Sequence, residues 1–187
     1  MEAPLQAPHD RAAEAATGAT LITIDSPEAM RELGRALAAL LRPGDLVLLT
    51  GELGAGKTTL TRGLGEGLGV RGAVTSPTFV IARVHPPLAG GPALVHVDAY
   101  RLAGGLDEME DLDLDVSLPE SVVVVEWGDG KVEELSDDRL HVVIARAVGH
   151  EEVLDDMRQV SVYGVGARWA DAGIEGLAAV AGAATEA

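Results

Sequence analysis

Eight consecutive residues, Gly51-Glu52-Leu53-Gly54-Ala55-Gly56-Lys57-Thr58, carry the pattern G-x-x-x-x-G-K-[ST] in full. Glycines at these points let successive backbone N–H groups curve around an anion, and a helix beginning at the end of the loop adds the partial positive charge of its first turn. The lysine supplies a cation for the outer phosphates of a nucleotide, and the Thr58 hydroxyl supplies a ligand for Mg²⁺. The candidate nucleotide-binding set is therefore Gly51, Glu52, Leu53, Gly54, Ala55, Gly56, Lys57, Thr58 and the adjoining Thr59. No N-K-x-D segment that would read guanine is present, which favours ATP with Mg²⁺ as the ligand.

Such a loop needs a second acidic anchor for the metal, on a strand that ends beside it. Ala93-Leu94-Val95-His96-Val97-Asp98 delivers Asp98 at the end of an apolar run. Val122-Val123-Val124-Val125-Glu126-Trp127 repeats the arrangement. Glu126 is positioned either to orient an attacking water or to hold a water on the metal. Thr58, Asp98 and Glu126 form the candidate metal set, and Lys57, Asp98 and Glu126 the candidate catalytic set. Trp127 lies where it either packs or borders the nucleotide. Thr78, in Thr75-Ser76-Pro77-Thr78-Phe79, falls where nucleotide-sensing segments occur and is a candidate for Mg²⁺ or the terminal phosphate, or else part of a plain turn. Asp111-Leu112-Asp113-Leu114-Asp115 begins like a calcium loop but has Val116 where glycine is required and Val122 where glutamate is required, so an acidic solvated face is expected there.

The elements that must hold these residues are legible from pattern. Leu46 to Leu49 is a short apolar run, as in a strand buried on both faces of a parallel sheet, and it leads straight into Gly51. Thr20 to Ile24 reads as a strand. Ser26 and Pro27 start an amphipathic helix with Met30, Leu33, Leu37, Leu40 and Leu41 on one face. The helix after Thr58 carries Gly63, Gly65 and Gly67, so either packing holds it or it ends early. Phe79 to Val84 and Ala93 to Val97 read as an antiparallel hairpin around an irregular loop at 85–92. Leu140 to Ile144 and Val160 to Tyr163 are further strands, and Arg168 to Val180 is a weak closing helix.

The 187 residues, 47% of them hydrophobic, suit one buried domain. The expected organisation is a disordered tail at 1–18, a single domain at 19–182 and a frayed end at 183–187. With no cysteine, disulfides and thiolate chemistry are excluded. The N-terminus lacks the charged and apolar regions of a secretory signal, and no run reaches the ~20 apolar residues of a membrane span, so a cytoplasmic protein with no membrane association is expected. Thirty acidic against 14 basic residues give a net charge of −16, which repels phosphodiester backbones and makes tight direct binding of bare nucleic acid unfavourable. Arg62, Arg71, Arg83 and Arg101 are the candidates for any local basic patch.

Taken together, G-E-L-G-A-G-K-T-T, S-P-T-F, H-V-D-A-Y-R-L and V-E-W, in this order, resemble the bacterial TsaE (YjeE) family over about residues 20 to 170. The resemblance implies an α/β P-loop NTPase fold, a parallel sheet core flanked by antiparallel strands in a three-layer α/β/α arrangement. It implies an ATPase of tRNA threonylcarbamoyladenosine biosynthesis that works with the threonylcarbamoyltransferase subunit and its paralogous scaffold subunit, on adenosine 37, and meets tRNA only indirectly. By the same resemblance Lys57 and Thr58 are phosphate and metal residues, Asp98 the second metal anchor and Glu126 catalytic; Thr78, Tyr100 and Trp127 also fall in matching motifs. The 85–92 loop, the long tail and the three glycines after Thr58 lie outside the family pattern.

Two other readings share the loop. A small-molecule kinase would need an acceptor site and an arginine-bearing lid, whereas Ala103 to Glu120 is acidic and has no arginine. A nucleotide-sensing module would use the loop, Asp98 and Thr78 without hydrolysis.

Overall fold

A computed structural model describes residues 18–77, 81–101, 117–130, 132–146 and 157–183. Its centre is one seven-stranded mixed sheet in the order β1-β7-β6-β2-β5-β4-β3. The strands are β1 (Thr20–Ile24), β2 (Leu46–Gly51), β3 (Ala82–His85), β4 (Ala93–Asp98), β5 (Ser121–Glu126), β6 (Arg139–Arg146) and β7 (Arg158–Val165). Strands β6, β2, β5 and β4 run parallel; β7 pairs antiparallel with β6, β1 antiparallel with β7, and β3 antiparallel with β4, so antiparallel pairs flank the parallel centre as the sequence led us to expect.

The apolar runs occupy the parallel centre because strands covered on both faces need apolar residues at every position. All six residues of β5 are buried. Alternate side chains divide the core in two. Val47, Leu49, Leu94, Val122 and Val124 face helices α1 (Pro27–Ala38), α2 (Lys57–Leu68) and α3 (Ala178–Ala183). Leu46, Leu48, Val95, Val97, Val123 and Val125 face the opposite side. That second side is covered, among the described residues, by 3₁₀ turns and loops bearing Ala99, Leu118, Val132 and Leu135. The expected second helical layer is therefore absent from the described residues, and the acidic segment Asp107 to Asp115 lies outside them. Also among the described residues, no helix is long and apolar enough to cross a membrane.

Helix α1 begins as predicted: the Ser26 hydroxyl accepts from the Ala29 N–H, with Pro27 in the first turn. Helix α2 runs through all three of its glycines. The reason is packing: Gly65 lies against Val74 and Val70, while Gly63 and Gly67 face α1. A Cβ on Gly63 would sit 2.1 Å from the Arg31 carbonyl oxygen, and one on Gly34 would sit 2.3 Å from that of Leu60. Glycine lets the two backbones touch, and Glu66 on α2 then pairs with Arg31 and Arg35 on α1.

Two expectations need correction and a third, the irregular 85–92 loop, gains detail. The strand placed at Phe79 to Val84 begins only at Ala82, because Ile81 has φ +67° and turns the chain, donating its N–H to the Pro77 carbonyl. The 85–92 loop is tied down: Pro87 bridges Val70, and the N–H groups of Leu88 and Arg71 reach the Gly69 and Pro86 carbonyls. The closing helix is broken into 3₁₀ turns at Ala167–Trp169 and Ile174–Leu177 before α3, with Gly173 at φ +74° between the turns.

Candidate functional site

Strands β2, β5 and β4 are adjacent and parallel, so their carboxyl ends open on one side, where ligands bind in α/β sheets. The register pairs Leu49 with Glu126 and Glu126 with Asp98, which places both carboxylates level with the start of the glycine-rich loop. Alternation puts His96, Asp98 and Glu126 on the face that carries α2. Charged side chains at the ends of buried strands thus converge on the first turn of α2.

The loop is shaped by glycine where a side chain would not fit. A Cβ on Gly51 would approach the Ile144 carbonyl oxygen to 2.6 Å, and Gly56, at φ +113°, precedes α2 with no side-chain cap on the helix. The first N–H groups of α2 therefore point into the space above the loop. Lys57 is 5% exposed; its Nζ donates to the carbonyls of Gly51 at 2.7 Å and Glu52 at 3.0 Å and lies 4.0 Å from the centre of the Trp127 ring. Burial pulls the Lys57 ammonium below the usual lysine range, and the negative charges of Glu126 and Asp98 oppose that shift.

Thr58 donates its hydroxyl to Glu126 Oε1 at 3.1 Å, and His96 Nε2 lies 2.8 Å from the same oxygen. Asp98 Oδ1 accepts the Tyr100 N–H at 3.0 Å. Trp127 has φ +61°, a left-handed conformation costly for a large side chain, while its N–H bonds the Leu49 carbonyl. This turn swings the ring over Lys57 and against Tyr100, ring centres 5.2 Å apart.

A cleft of about 300 Å³ is lined by Leu53, Gly54, Gly56, Lys57, Thr58, Thr59, Ser76, Asp98, Glu126 and Trp127. It brings together most of the candidate set. Gly51 and Glu52 contribute carbonyls to Lys57, and Ala55 is buried beneath the loop. Thr78 lies outside the described residues. Among the described residues, no three His, Asp or Glu side chains are grouped to hold a metal by themselves.

Sequence reasoning missed three participants. Ser76 lines the cleft from the very motif in which Thr78 was chosen. Arg146, at the end of β6, reaches the Leu53 carbonyl at 3.5 Å, and nothing in its local sequence marks it. His96 touches Glu126, and its signal was visible: a polar residue two before Asp98, on the same face of an otherwise apolar strand.

Known proteins are similar to this chain in sequence and fold. The tRNA threonylcarbamoyladenosine biosynthesis protein TsaE of Streptomyces coelicolor is 75% identical over 149 residues, covering 80% of this chain and 99% of that protein. The protein of the same name from Bacillus subtilis is 41% identical over 145 residues, covering 77% and 85%. The crystal structure of Bacillus subtilis YdiB matches with a TM-score of 0.66 at 33% identity, covering 86% of this chain and 95% of that one. The family model described as "Threonylcarbamoyl adenosine biosynthesis protein TsaE" matches residues 24–153, and the chain belongs to the TsaE family.

Proposed function

We propose that this chain is a cytoplasmic, Mg²⁺-dependent P-loop ATPase, a single domain over residues 19–182. In this reading it acts with the threonylcarbamoyltransferase subunit and its paralogous scaffold subunit to support N6-threonylcarbamoylation of adenosine 37 in tRNA. Family membership ties the chain to threonylcarbamoyladenosine biosynthesis. The observation that carries the ATPase reading is the convergence of Lys57, Thr58, Asp98 and Glu126 on one cleft beside an uncapped helix N-terminus.

The residues suit ATP and Mg²⁺. A loop that side chains would obstruct, with backbone donors above it, matches phosphate oxygens. Mg²⁺ retains several waters and binds through one or two protein oxygens plus phosphate, and Thr58 and Asp98 line the cleft with suitable oxygens. Bound Mg²⁺ would supply charge neutralisation at the β- and γ-phosphates. Lys57 would exchange its two carbonyl bonds for phosphate oxygens. Thr58, while donating to Glu126, keeps its lone pairs for the metal, and Asp98 stands across the cleft as second anchor. The Glu126 carboxylate would orient water for attack on the terminal phosphate.

The deciding experiment measures phosphate release from Mg-ATP by the wild type and Lys57→Ala, each alone and with the two partner subunits. The expected result is slow release alone, stimulation by the partners, and a loss of about 100-fold or more in Lys57→Ala, the scale of removing one key electrostatic group. A nucleotide-sensing module is the second reading, favoured by the contacts that hold Lys57 within its own loop and under Trp127. It would replace the first if ATP binds but no mixture releases phosphate.

A further inference from the structure

We propose that His96 is a positioning residue that fixes the Glu126 carboxylate for hydrolysis, an inference that rests on the ATPase reading. His96 is 0% exposed in the middle of β4, between Val95 and Val97. Its Nε2 lies 2.8 Å from Glu126 Oε1, and Glu126 is itself only 3% exposed. A carboxylate only accepts, so Nε2 carries the proton and donates it. The other ring nitrogen, Nδ1, is buried with no hydrogen-bond partner among the described residues.

That orphaned nitrogen argues against a packing role. A Leu or Val at this position would continue the apolar run of β4 and remove a dry polar atom that folding alone disfavours. The bond to Glu126 accounts for the histidine. It joins the bond from Thr58, so Oε1 is held from two directions, by β4 and by the first turn of α2. Two donors from different elements on one oxygen stop the carboxylate from rotating and give its second oxygen a fixed direction, which a water-orienting group requires.

The test uses the full chain with the two partner subunits and Mg-ATP, comparing wild type, His96→Leu, His96→Asn and His96→Gln, with His96→Leu repeated in a Glu126→Gln background. A glutamine amide reaches roughly to where Nε2 stands; asparagine stops short. Losing such a supporting hydrogen bond typically costs about 10- to 100-fold in activity. His96→Leu and His96→Asn should lose kcat on that scale, with KM for ATP changed by less than about threefold. His96→Gln should recover most of the rate, and Tm of the Leu variant should be unchanged or higher. In the Glu126→Gln background the leucine change should add less than about twofold, because the pair acts as one unit. Wild-type kcat in both His96→Leu and His96→Asn overturns the proposal, as does a loss that glutamine does not rescue or that persists in full beside Glu126→Gln. Should His96→Leu not fold, the Asn and Gln pair decides alone. Absence of turnover in the wild type with its partners is a different failure: it removes the ATPase reading and this inference with it.

Discussion

Thr58 shows how one hydroxyl can serve two neighbours. Its proton goes to Glu126 Oε1, 3.1 Å away, which leaves its lone pairs directed at the cleft. Thr58→Val keeps the shape and removes both the bond to Glu126 and the metal ligand proposed above. ATP affinity measured with Mg²⁺ should fall about tenfold, of the order of one hydrogen bond to a charged group. Affinity measured with EDTA should change little, since the loop amides and Lys57 would still hold the phosphates; an equal loss in both conditions would refute a metal role for Thr58. The letters and spacing of the motifs singled out Lys57, Thr58, Asp98 and Glu126, which the fold gathers in one cleft, because each chemistry admits few residue types. They did not reveal that Thr58 pairs with Glu126 and not with Asp98. That depends on β5 lying between β2 and β4, a fact of strand order that no local window contains. The left-handed turn at Trp127 was equally hidden, since no composition rule predicts a bulky residue at positive φ.

At the level of elements, the seam between α1 and α2 determines where the first turn of α2 sits. Gly63→Ala would raise helix propensity by up to ~1 kcal/mol. Against that, its Cβ would lie 2.1 Å from the Arg31 carbonyl, and overpacking of this kind costs about 1–3 kcal/mol. Here the obstruction is backbone, which cannot rotate aside, so the net effect is destabilising by about 1–2 kcal/mol. Urea unfolding should show a lower midpoint for Gly63→Ala and little change for Gly176→Ala, where no atom lies within 4 Å of the added Cβ. Helices α1 and α2 and most strands were readable from period and caps. The fate of the three glycines was not, because the reasons for them stand elsewhere in the chain: on α1 for Gly63 and Gly67, and at Val70 and Val74 for Gly65. The broken segment after Arg168 misled for the opposite reason: its apolar spacing suits a helix, but the left-handed Gly173 interrupts it.

For the molecule as a whole, acid sensitivity should arise far from the cleft. His141 on β6 is 7% exposed and lies flat against Tyr163 on β7, ring centres 4.8 Å apart and planes 5° apart. Burial, assisted by the charge of Arg139 and opposed by Glu133, pushes its pKa down to about 4. The unfolded chain takes up a proton near the ordinary histidine value of ~6.5, where the folded chain does not. Stability from this site is therefore complete above that value and declines as pH falls towards about 4. His141→Phe, which keeps the ring and removes the titration, should flatten the Tm-versus-pH curve of the wild type between those limits. Parallel curves would disprove the assignment.

The strand order also bears on synthesis. Strand β2, which carries the glycine-rich loop, pairs with β5 and β6, and β1 with β7. The loop therefore leaves the ribosome well before its flanking strands exist. At ~5–20 residues per second, roughly 90 residues separate Lys57 from the end of β6, a delay on the order of 10 s. Throughout that interval the nascent chain carries the glycine-rich loop without the sheet that gives it shape, so the loop can reach its native form only in a chain that is nearly complete.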